Sequence, residues 1–421
     1  MEPLSVDYVL QAVNGRLLSE GGGSAIRGLE ITGVSTDSRS ITKGQVFFAI
    51  PGKRFDGHDF AREAVSRAET LAVVSRPLRG LPAILVRDTV EALGDLASAY
   101  REKMAKRITA VTGTNGKTTT KEMSAWVLRM KYRVRKNRGN MNNLIGLPLS
   151  LLEMETEDEL GVFEMGMSER GEIARMARIS DPAVGVITNL GPCHLESLGS
   201  VEEVARAKGE LLDYLDEDKQ VILNFDDPML REMSDRTRAR VTGFGIKTEA
   251  PIRALSVKEE NWGSSFELES GEGFELPVPG DFNVYNALAA IGVGMAFGIS
   301  PEESGRALSS FVPEKSRMGR FELEGVTLID DSYNANPGSV MCALQVISRI
   351  TARRKIVVLG DMLELGASSG TMHREIGEQM KDHGVDVLYL YGREVKHAAE
   401  SARGSGLADV REFREKSELI A

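Results

Sequence analysis

The chain has 421 residues, 52 Lys and Arg against 62 Asp and Glu, a net charge of -10 at pH 7, and 42% hydrophobic residues. That length predicts roughly two to four domains with ordinary globular cores, and the acidity argues against a nucleic-acid surface, because polyanions are gripped by clustered Lys and Arg. Only Cys193 and Cys342 are present, residues 1–7 show neither a basic region nor an apolar signal core, and the apolar run 287–297 is short of the roughly 20 residues that span a bilayer; a reduced, cytoplasmic protein without membrane insertion is expected.

Along the chain, the cluster Glu20-Gly21-Gly22-Gly23-Ser24 reads as a flexible loop, residues 45–50 as a strand and 51–58 as a turn cluster. A charged helical segment over 91–106 leads into the apolar run 108–111. From there apolar strands at 108–111, 161–164, 184–188 and 221–223 alternate with amphipathic helices, which predicts a mostly parallel sheet covered by helices. The polar stretch 248–277 is expected to form strands and turns at the sheet edge, followed by a helix over 283–297. Residues 313–320 are charged, lack a long apolar run and read as a linker. A second alternation follows, with strands at 326–329, 356–359 and 387–391. The fold class is therefore α/β in three domains: a small α/β binding domain over 1–106, a central P-loop ATPase-like domain over 107–312, and a dinucleotide-fold, Rossmann-like domain over 313–421. No tandem repeat and no low-complexity tract is visible.

The most informative segment is Thr112-Gly113-Thr114-Asn115-Gly116-Lys117-Thr118-Thr119-Thr120, between an apolar strand and a helical pattern reaching Met130. Such a turn converges unpaired backbone N–H groups on one spot that the helix dipole also makes favourable for an anion. Gly113 and Gly116 let the backbone approach a triphosphate, Lys117 reaches its terminal phosphates, and the Thr118 hydroxyl is placed for Mg²⁺. Val111 stands where the first glycine of G-x-x-x-x-G-K-[ST] belongs, so Gly113 has to supply the flexibility. ATP or GTP is the expected ligand.

Ligands on such sheets sit beyond the carboxyl ends of the strands. Glu164 ends the run Val162-Phe163-Glu164, where it reads either as a Mg²⁺ ligand or as a solvent-facing acid. His194, in Gly191-Pro192-Cys193-His194, follows another strand and reads as a metal or phosphate ligand, or simply as an exposed loop histidine. Lys208, on an apolar and acidic helix over 201–215, reads by itself as a surface lysine paired with Glu.

Gly113 to Thr119, Glu164-Met165-Gly166, the block Asn189 to Glu196 and Ala207-Lys208-Gly209-Glu210 together resemble the Mur ligases, the ATP-dependent peptide ligases that build the bacterial cell-wall precursor. Asp330-Asp331-Ser332-Tyr333-Asn334-Ala335-Asn336-Pro337 and Val358 to Gly366 resemble those members that add D-alanyl-D-alanine to UDP-N-acetylmuramoyl-tripeptide. The resemblance spans nearly the whole chain and implies an acyl phosphate intermediate, with ADP and phosphate as products. It further implies ATP and two Mg²⁺ ions, a carbamylated Lys208, and metal ligands among Thr118, Glu164, His194 and Lys208. Lys117, His194, Lys208 and Arg320 would be catalytic, with Arg320 on the γ-phosphate and Asp331 facing the ribose. Asn283 and Asn286, in the block Gly280 to Leu288, would border the adenine pocket, although the family commonly has His where Phe282 stands. Ser35-Thr36-Asp37-Ser38-Arg39 and His58 resemble the UDP-substrate domain, and Asn142, Tyr333, Asn334 and Asn336 are assigned to the peptide substrates. Members of the group continue past the position of Ala421 into a strand bearing Lys-Gly-Ser, so a third domain short of that strand, with weaker dipeptide binding, is expected. A monomer is the expected state. The alternatives are a sister or folylpolyglutamate-type ligase and, from another class, a P-loop nucleotide switch.

Overall fold

The structure, a computed structural model, describes residues 1–18, 26–260 and 262–420. The 20–24 cluster lies outside the described residues. The chain folds into two compact units, one of Met1–Ala110, Lys131–Met167 and Glu172–Ala183, the other of Val111–Met130, Ser168–Gly171 and Val184–Ala421.

In the first unit, five strands stand in the order Arg16–Leu18, Ala83–Leu85, Ala72–Val74, Gln45–Phe48 and Gly33–Ser35. All neighbours are parallel except the first pair. The strand expected over 45–50 ends at Phe48. Helix Ala61–Ala68 turns Ala61, Ala64, Val65 and Ala68 to the core, an i, i+3, i+4, i+7 stripe whose small side chains pack with Phe47 and Val74. Helix Thr89–Met104 starts where the Asp88 carboxylate accepts the N–H groups of Val90 and Glu91 at 2.7 and 2.9 Å. Beyond it, the strand Leu160–Glu164 lies between Arg107–Thr112 and Val134–Lys136, parallel to the latter.

In the second unit, Val184–Ile187, Gln220–Asn224, Arg240–Gly245 and Ile252–Glu260 are successive parallel neighbours. Gly263–Leu268 and Gly273–Leu276 close the edge as an antiparallel meander, as the polarity of 248–277 predicts. The last residues of Arg107–Thr112 belong here, and Thr188 N–H donates to Thr112 O at 3.0 Å. Helix Asp281–Ala296 is buried on nearly every side and packs on helix Lys117–Leu128, which carries the phosphate-loop lysine at its start. Among the described residues no helix is long and apolar enough to cross a membrane.

The last block of this unit has a core of its own, including Leu344, Leu359, Met380, Leu388 and Ala398. The strands Ile356–Gly360, Val387–Tyr391 and Asp409–Phe413 are parallel in that order. Two expectations need correcting. Residues 326–329 do not join a parallel sheet: Val326–Asp330 pairs antiparallel with Gly319–Leu323 in a hairpin turning at Glu324 and Gly325, so the linker read over 313–320 already contains the start of a strand. Asp409–Phe413 had no strand assignment, because a short, charged edge strand has no apolar alternation to betray it.

A carboxylate fixes the segment 245–248 that follows Arg240–Gly245. Asp226 accepts the N–H groups of Ile246, Lys247 and Thr248 at 2.7, 2.8 and 2.6 Å and the Tyr285 hydroxyl at 2.7 Å. Burial opposes its charge, but the Lys247 N–H, the Tyr285 hydroxyl and the N–H groups of Ile246 and Thr248 outweigh it and hold the carboxyl at about 2 instead of 3.8. A depressed carboxyl stabilises the fold above its unfolded value and loses that contribution as pH falls from about 4 to about 2. Asp226→Asn is therefore expected to unfold at lower temperature at pH 7 and to lose less stability than the parent chain across that acid window. Equal acid sensitivity of the two proteins in thermal melts would sink this assignment.

Candidate active site

Residues 113–120 turn from the strand Arg107–Thr112 into helix Lys117–Leu128, as the sequence predicts. Gly113 has φ +144° and Gly116 φ +77°, conformations that L side chains avoid. The loop is braced from the segment after Val184–Ile187. Thr188 Oγ1 donates to Asn115 O at 2.5 Å, Asn189 Nδ2 donates to the same carbonyl at 3.1 Å, and Asn115 N–H donates to Asn189 Oδ1 at 2.9 Å. Thr114 N–H donates to Asn189 O at 2.9 Å, and the Thr114 hydroxyl to Gly191 O at 3.2 Å. From below, Thr120 Oγ1 donates to Asn286 Oδ1 at 3.1 Å, Asn286 Nδ2 to Asn283 Oδ1 at 3.1 Å, and Asn283 Nδ2 to Pro279 O at 2.7 Å. Asn283 and Asn286, which the family resemblance places at the border of an adenine pocket, are buried and support the loop. Lys117 Nζ donates to Gly113 O at 3.0 Å and Thr114 O at 2.9 Å, which holds the ammonium over the N–H groups at the helix start. Thr118 is buried and Thr119 half-buried in the first turn.

Three further side chains reach this loop and its brace from the last block of the same unit. Asn336, which caps helix Pro337–Arg349, exchanges amide hydrogen bonds with Asn115 at 2.6 and 3.3 Å. Arg317 Nη2 donates to Thr118 Oγ1 at 3.2 Å. The Glu364 carboxylate accepts a hydrogen bond from His194 Nδ1, and its carbonyl accepts the Glu196 N–H at 3.1 Å. Burial pushes His194 below the ordinary imidazole range; the Glu364 carboxylate resists, while the charges of Lys208 and Lys117 push the same way as burial. His194, Lys208 and Lys117 therefore share one electrostatic neighbourhood. Lys208 itself, on helix Val201–Tyr214, is 1% exposed, which contradicts the surface-lysine reading.

Arg320 is exposed in the hairpin, with its Nε and Nη2 on Glu322 Oε1 at 3.0 and 2.7 Å and its guanidinium 5.5 Å from the Trp262 ring. Burial pushes the Asp331 carboxyl up, against the Met318 N–H and Arg317. Tyr333 is exposed beneath Arg317, Asn334 is exposed, and Glu364 and Arg317 are site residues that the sequence did not single out.

In the first unit, Glu164 is buried at its strand end rather than solvent-facing, and Asn142 Nδ2 donates to its Oε1 at 2.7 Å. Asn137 fixes the backbone there, donating to Glu164 O at 3.0 Å and accepting Glu164 N–H at 2.9 Å. Ser35 and Asp37 form the polar turn expected, and Arg39 side-chain and backbone hydrogen bonds hold the Asp37 carboxyl at about 2. Thr36 is half-buried and Ser38 buried in that turn. His58 is 4% exposed, with Nδ1 on Asp56 at 2.6 Å and Nε2 accepting the Ser75 N–H at 2.9 Å. Its part is to position the 51–58 loop.

Among the described residues no three His, Cys, Asp or Glu gather into a metal cage.

Three family descriptions match in chain order: "Mur ligase family, catalytic domain" over residues 30–101, "Mur ligase middle domain" over 111–294, and "Mur ligase, glutamate ligase domain" over 316–421. The UDP-N-acetylmuramoyl-tripeptide--D-alanyl-D-alanine ligase of Bacillus subtilis is 38% identical over 398 residues, covering 93% of this chain and 86% of the relative. The chain belongs to the Mur ligase family. The Escherichia coli ligase of the same name is 36% identical, over 94% of this chain and 88% of its own. Among solved Mur ligases, MurF from Acinetobacter baumannii superposes with a TM-score of 0.92 at 31% identity, covering 100% of this chain and 91% of that one. MurF from Thermotoga maritima, in complex with ADP, gives 0.84 at 29% identity, covering 92% and 89%. The expected family and the three-domain α/β organisation are both borne out.

Proposed function

We propose that this Mur ligase joins D-alanyl-D-alanine to UDP-N-acetylmuramoyl-tripeptide at the expense of ATP. The observation that carries the reading is the braced phosphate loop, reached from the last block by Asn336, Arg317 and Glu364, in a chain 38% identical to a ligase of that name. The tripeptide carboxylate attacks the γ-phosphorus, the bond to the β-phosphate oxygen breaks, and an acyl phosphate and ADP result. The dipeptide amine then adds to the acyl carbon, phosphate leaves with the bonding pair, and the nitrogen gives up a proton. With an α-amino pKa near 7.7 to 8.0, about a tenth of the amine is free at neutral pH, so no strong protein base is needed.

Two anions at about 4 Å repel by roughly 4 kcal/mol at an effective dielectric of 20, so the first step needs fixed positive charge. Lys117 and the N–H groups at the start of helix Lys117–Leu128 provide it around the triphosphate. Mg²⁺, for which Thr118, Glu164 and His194 are the assigned ligands, supplies further charge neutralisation when bound. We assign Lys208, 1% exposed and acting electrostatically on His194, as carbamylated, as the family resemblance implies: CO₂ adds to its nitrogen and the ammonium gives up two protons, which turns the cation into an anion. Asp331 is assigned to the ribose and Arg320 to the γ-phosphate, which requires Arg320 to leave Glu322. Ser35 to Arg39, the loop positioned by His58, and Asn142 are assigned to the UDP-substrate, and Tyr333, Asn334 and Asn336 to the peptide end. Domain boundaries at 106/107 and 312/313 are part of the same proposal, as are a monomeric state and a cytoplasmic location, where ATP is available.

The test is phosphate release from ATP with the UDP-tripeptide, with and without D-alanyl-D-alanine, following the product by mass. Release with a matching pentapeptide mass only when both substrates are present is expected. Turnover indifferent to both would favour a nucleotide switch and defeat the proposal.

A further inference from the structure

Resting on the reading of His194 as a residue of the ligase site, we propose that Glu364 is a positioning residue for that histidine: by holding the ring proton on Nδ1 it leaves the lone pair on Nε2, the nitrogen then able to take a metal ion. Burial keeps the imidazole below its ordinary range, so near neutral pH it carries a single ring proton. Which nitrogen carries that proton is set by the hydrogen bond the ring makes. An ionised carboxylate can only accept, and the Glu364 carboxylate lies on Nδ1, so Nδ1 is the donor and Nε2 is left as the acceptor. Without such a partner a neutral histidine facing water carries its proton mainly on Nε2, which blocks that nitrogen as a ligand.

The chain presents Glu364 from an anchored loop. Met362 and Leu365 are buried in the core of the last block, while Leu363 between them is exposed. Met362 N–H donates to Nε2 of the buried His373 at 3.1 Å, and Leu365 O accepts the Ser368 N–H at 3.2 Å. Glu364 has φ +62° and His194 φ +51°, left-handed conformations that non-glycine residues keep where the surroundings impose them. The two loops are docked backbone to backbone beside the pair. Glu196 N–H donates to Glu364 O at 3.1 Å, and a Cβ on Gly366 would lie 3.1 Å from Glu196 Cα. On the other side, His194 O accepts the Ser197 hydroxyl at 3.1 Å and the Leu198 N–H at 3.0 Å. The contact therefore joins two fixed loops at one imidazole, whose other charged neighbours are Lys208 and Lys117. A carboxylate on one ring nitrogen orients an imidazole and makes the other nitrogen more basic as a ligand.

The experiment is ¹⁵N NMR of the full chain, metal-free and labelled at histidine, at about pH 8, above the ordinary imidazole range. The His194 signals are identified by their loss in His194→Gln. In the parent protein Nδ1 is expected as the protonated nitrogen and Nε2 as the unprotonated one. Glu364→Ala should move the proton to Nε2, whereas Glu364→Gln, whose amide oxygen still accepts, should keep it on Nδ1. With Mg·ATP and both peptide substrates, Glu364→Ala is expected to lower kcat about 10- to 10²-fold, the range for losing such a partner. Its KM for the UDP-tripeptide should stay within about twofold, since Glu364 acts through His194 and not on that substrate, and Glu364→Gln should recover most of the rate. A parent protein with the proton on Nε2 overturns the proposal, without any Glu364 variant having to fold. So does Glu364→Ala with the proton still on Nδ1, or with the kcat of the parent. Absence of pentapeptide from the parent protein would defeat the ligase reading and leave the spectra to judge Glu364.

Discussion

Lys117→Ala is expected to lower ATP-dependent phosphate release about 10³-fold while shifting the melting temperature by no more than a few degrees. The first figure follows from charge: a unit charge at about 4 Å in an effective dielectric of 20 contributes roughly 4 kcal/mol, and each 1.36 kcal/mol is tenfold in rate. The second follows from what Lys117 does in the fold. Its two hydrogen bonds go to Gly113 O and Thr114 O, carbonyls of its own loop, and the loop is braced independently by Thr188, Asn189 and Asn286. Removing the ammonium therefore removes a ligand contact and leaves the scaffold. A companion effect separates this from general damage. Lys117 is one of the charges that depress His194, so in the variant the His194 imidazole should titrate at higher pH. Single-turnover rates within tenfold of the parent protein would place the charge for phosphoryl transfer elsewhere.

What the sequence disclosed follows the range over which each signal acts. A strand, two glycines, a lysine and a helix lie within about twenty consecutive residues, and their chemistry is local, so the phosphate loop was legible. Its brace was legible only in part. The segment 188–194 follows a strand whose carboxyl end faces the same side as the loop, but the bonds of Thr188 and Asn189 to Asn115 run across more than 70 positions and no local pattern announces them. Arg317 was passed over for a related reason: residues 313–320 are charged and without apolar periodicity, as a linker would be, and only Asp330, Asp331 and Tyr333, brought in by the hairpin, give that arginine a fixed direction. His58 lies in a Pro-Gly-Lys-Arg-Phe-Asp-Gly-His segment that reads only as a turn; Asp56 and the Ser75 N–H, which satisfy both ring nitrogens and allow it to be buried, come into view only with the fold. Lys208 was read from sequence alone as a surface ion pair; its burial becomes visible only when helix Val201–Tyr214 is placed, and only the family resemblance had marked it.

Gly113→Ala should abolish measurable nucleotide binding, a loss of at least about 10²-fold, for reasons that are separable by a second mutation. At φ +144° an alanine is strained by the backbone alone, at a cost of about 1 to 3 kcal/mol, and a Cβ built there would lie 1.9 Å from Thr188 Oγ1 and 3.1 Å from Thr188 N. Contact that close cannot be relieved by a rotamer change, because Thr188 N–H is tied to Thr112 O at 3.0 Å and its hydroxyl to Asn115 O at 2.5 Å. The loop must move away from its brace, and the N–H groups that converge on the phosphates diverge. Thr188→Ala alone removes the brace hydroxyl, and a modest weakening is expected. Combined with Gly113→Ala it also removes the 1.9 Å contact but neither the backbone strain nor the 3.1 Å approach to the residue 188 N and Cβ, so the double variant should bind nucleotide more tightly than Gly113→Ala and less tightly than Thr188→Ala. That ordering, read by titration with Mg·ADP, is the check. Equal affinity in the single and double Gly113 variants would show that conformation at Gly113, and not the approach of Thr188, sets the requirement for glycine.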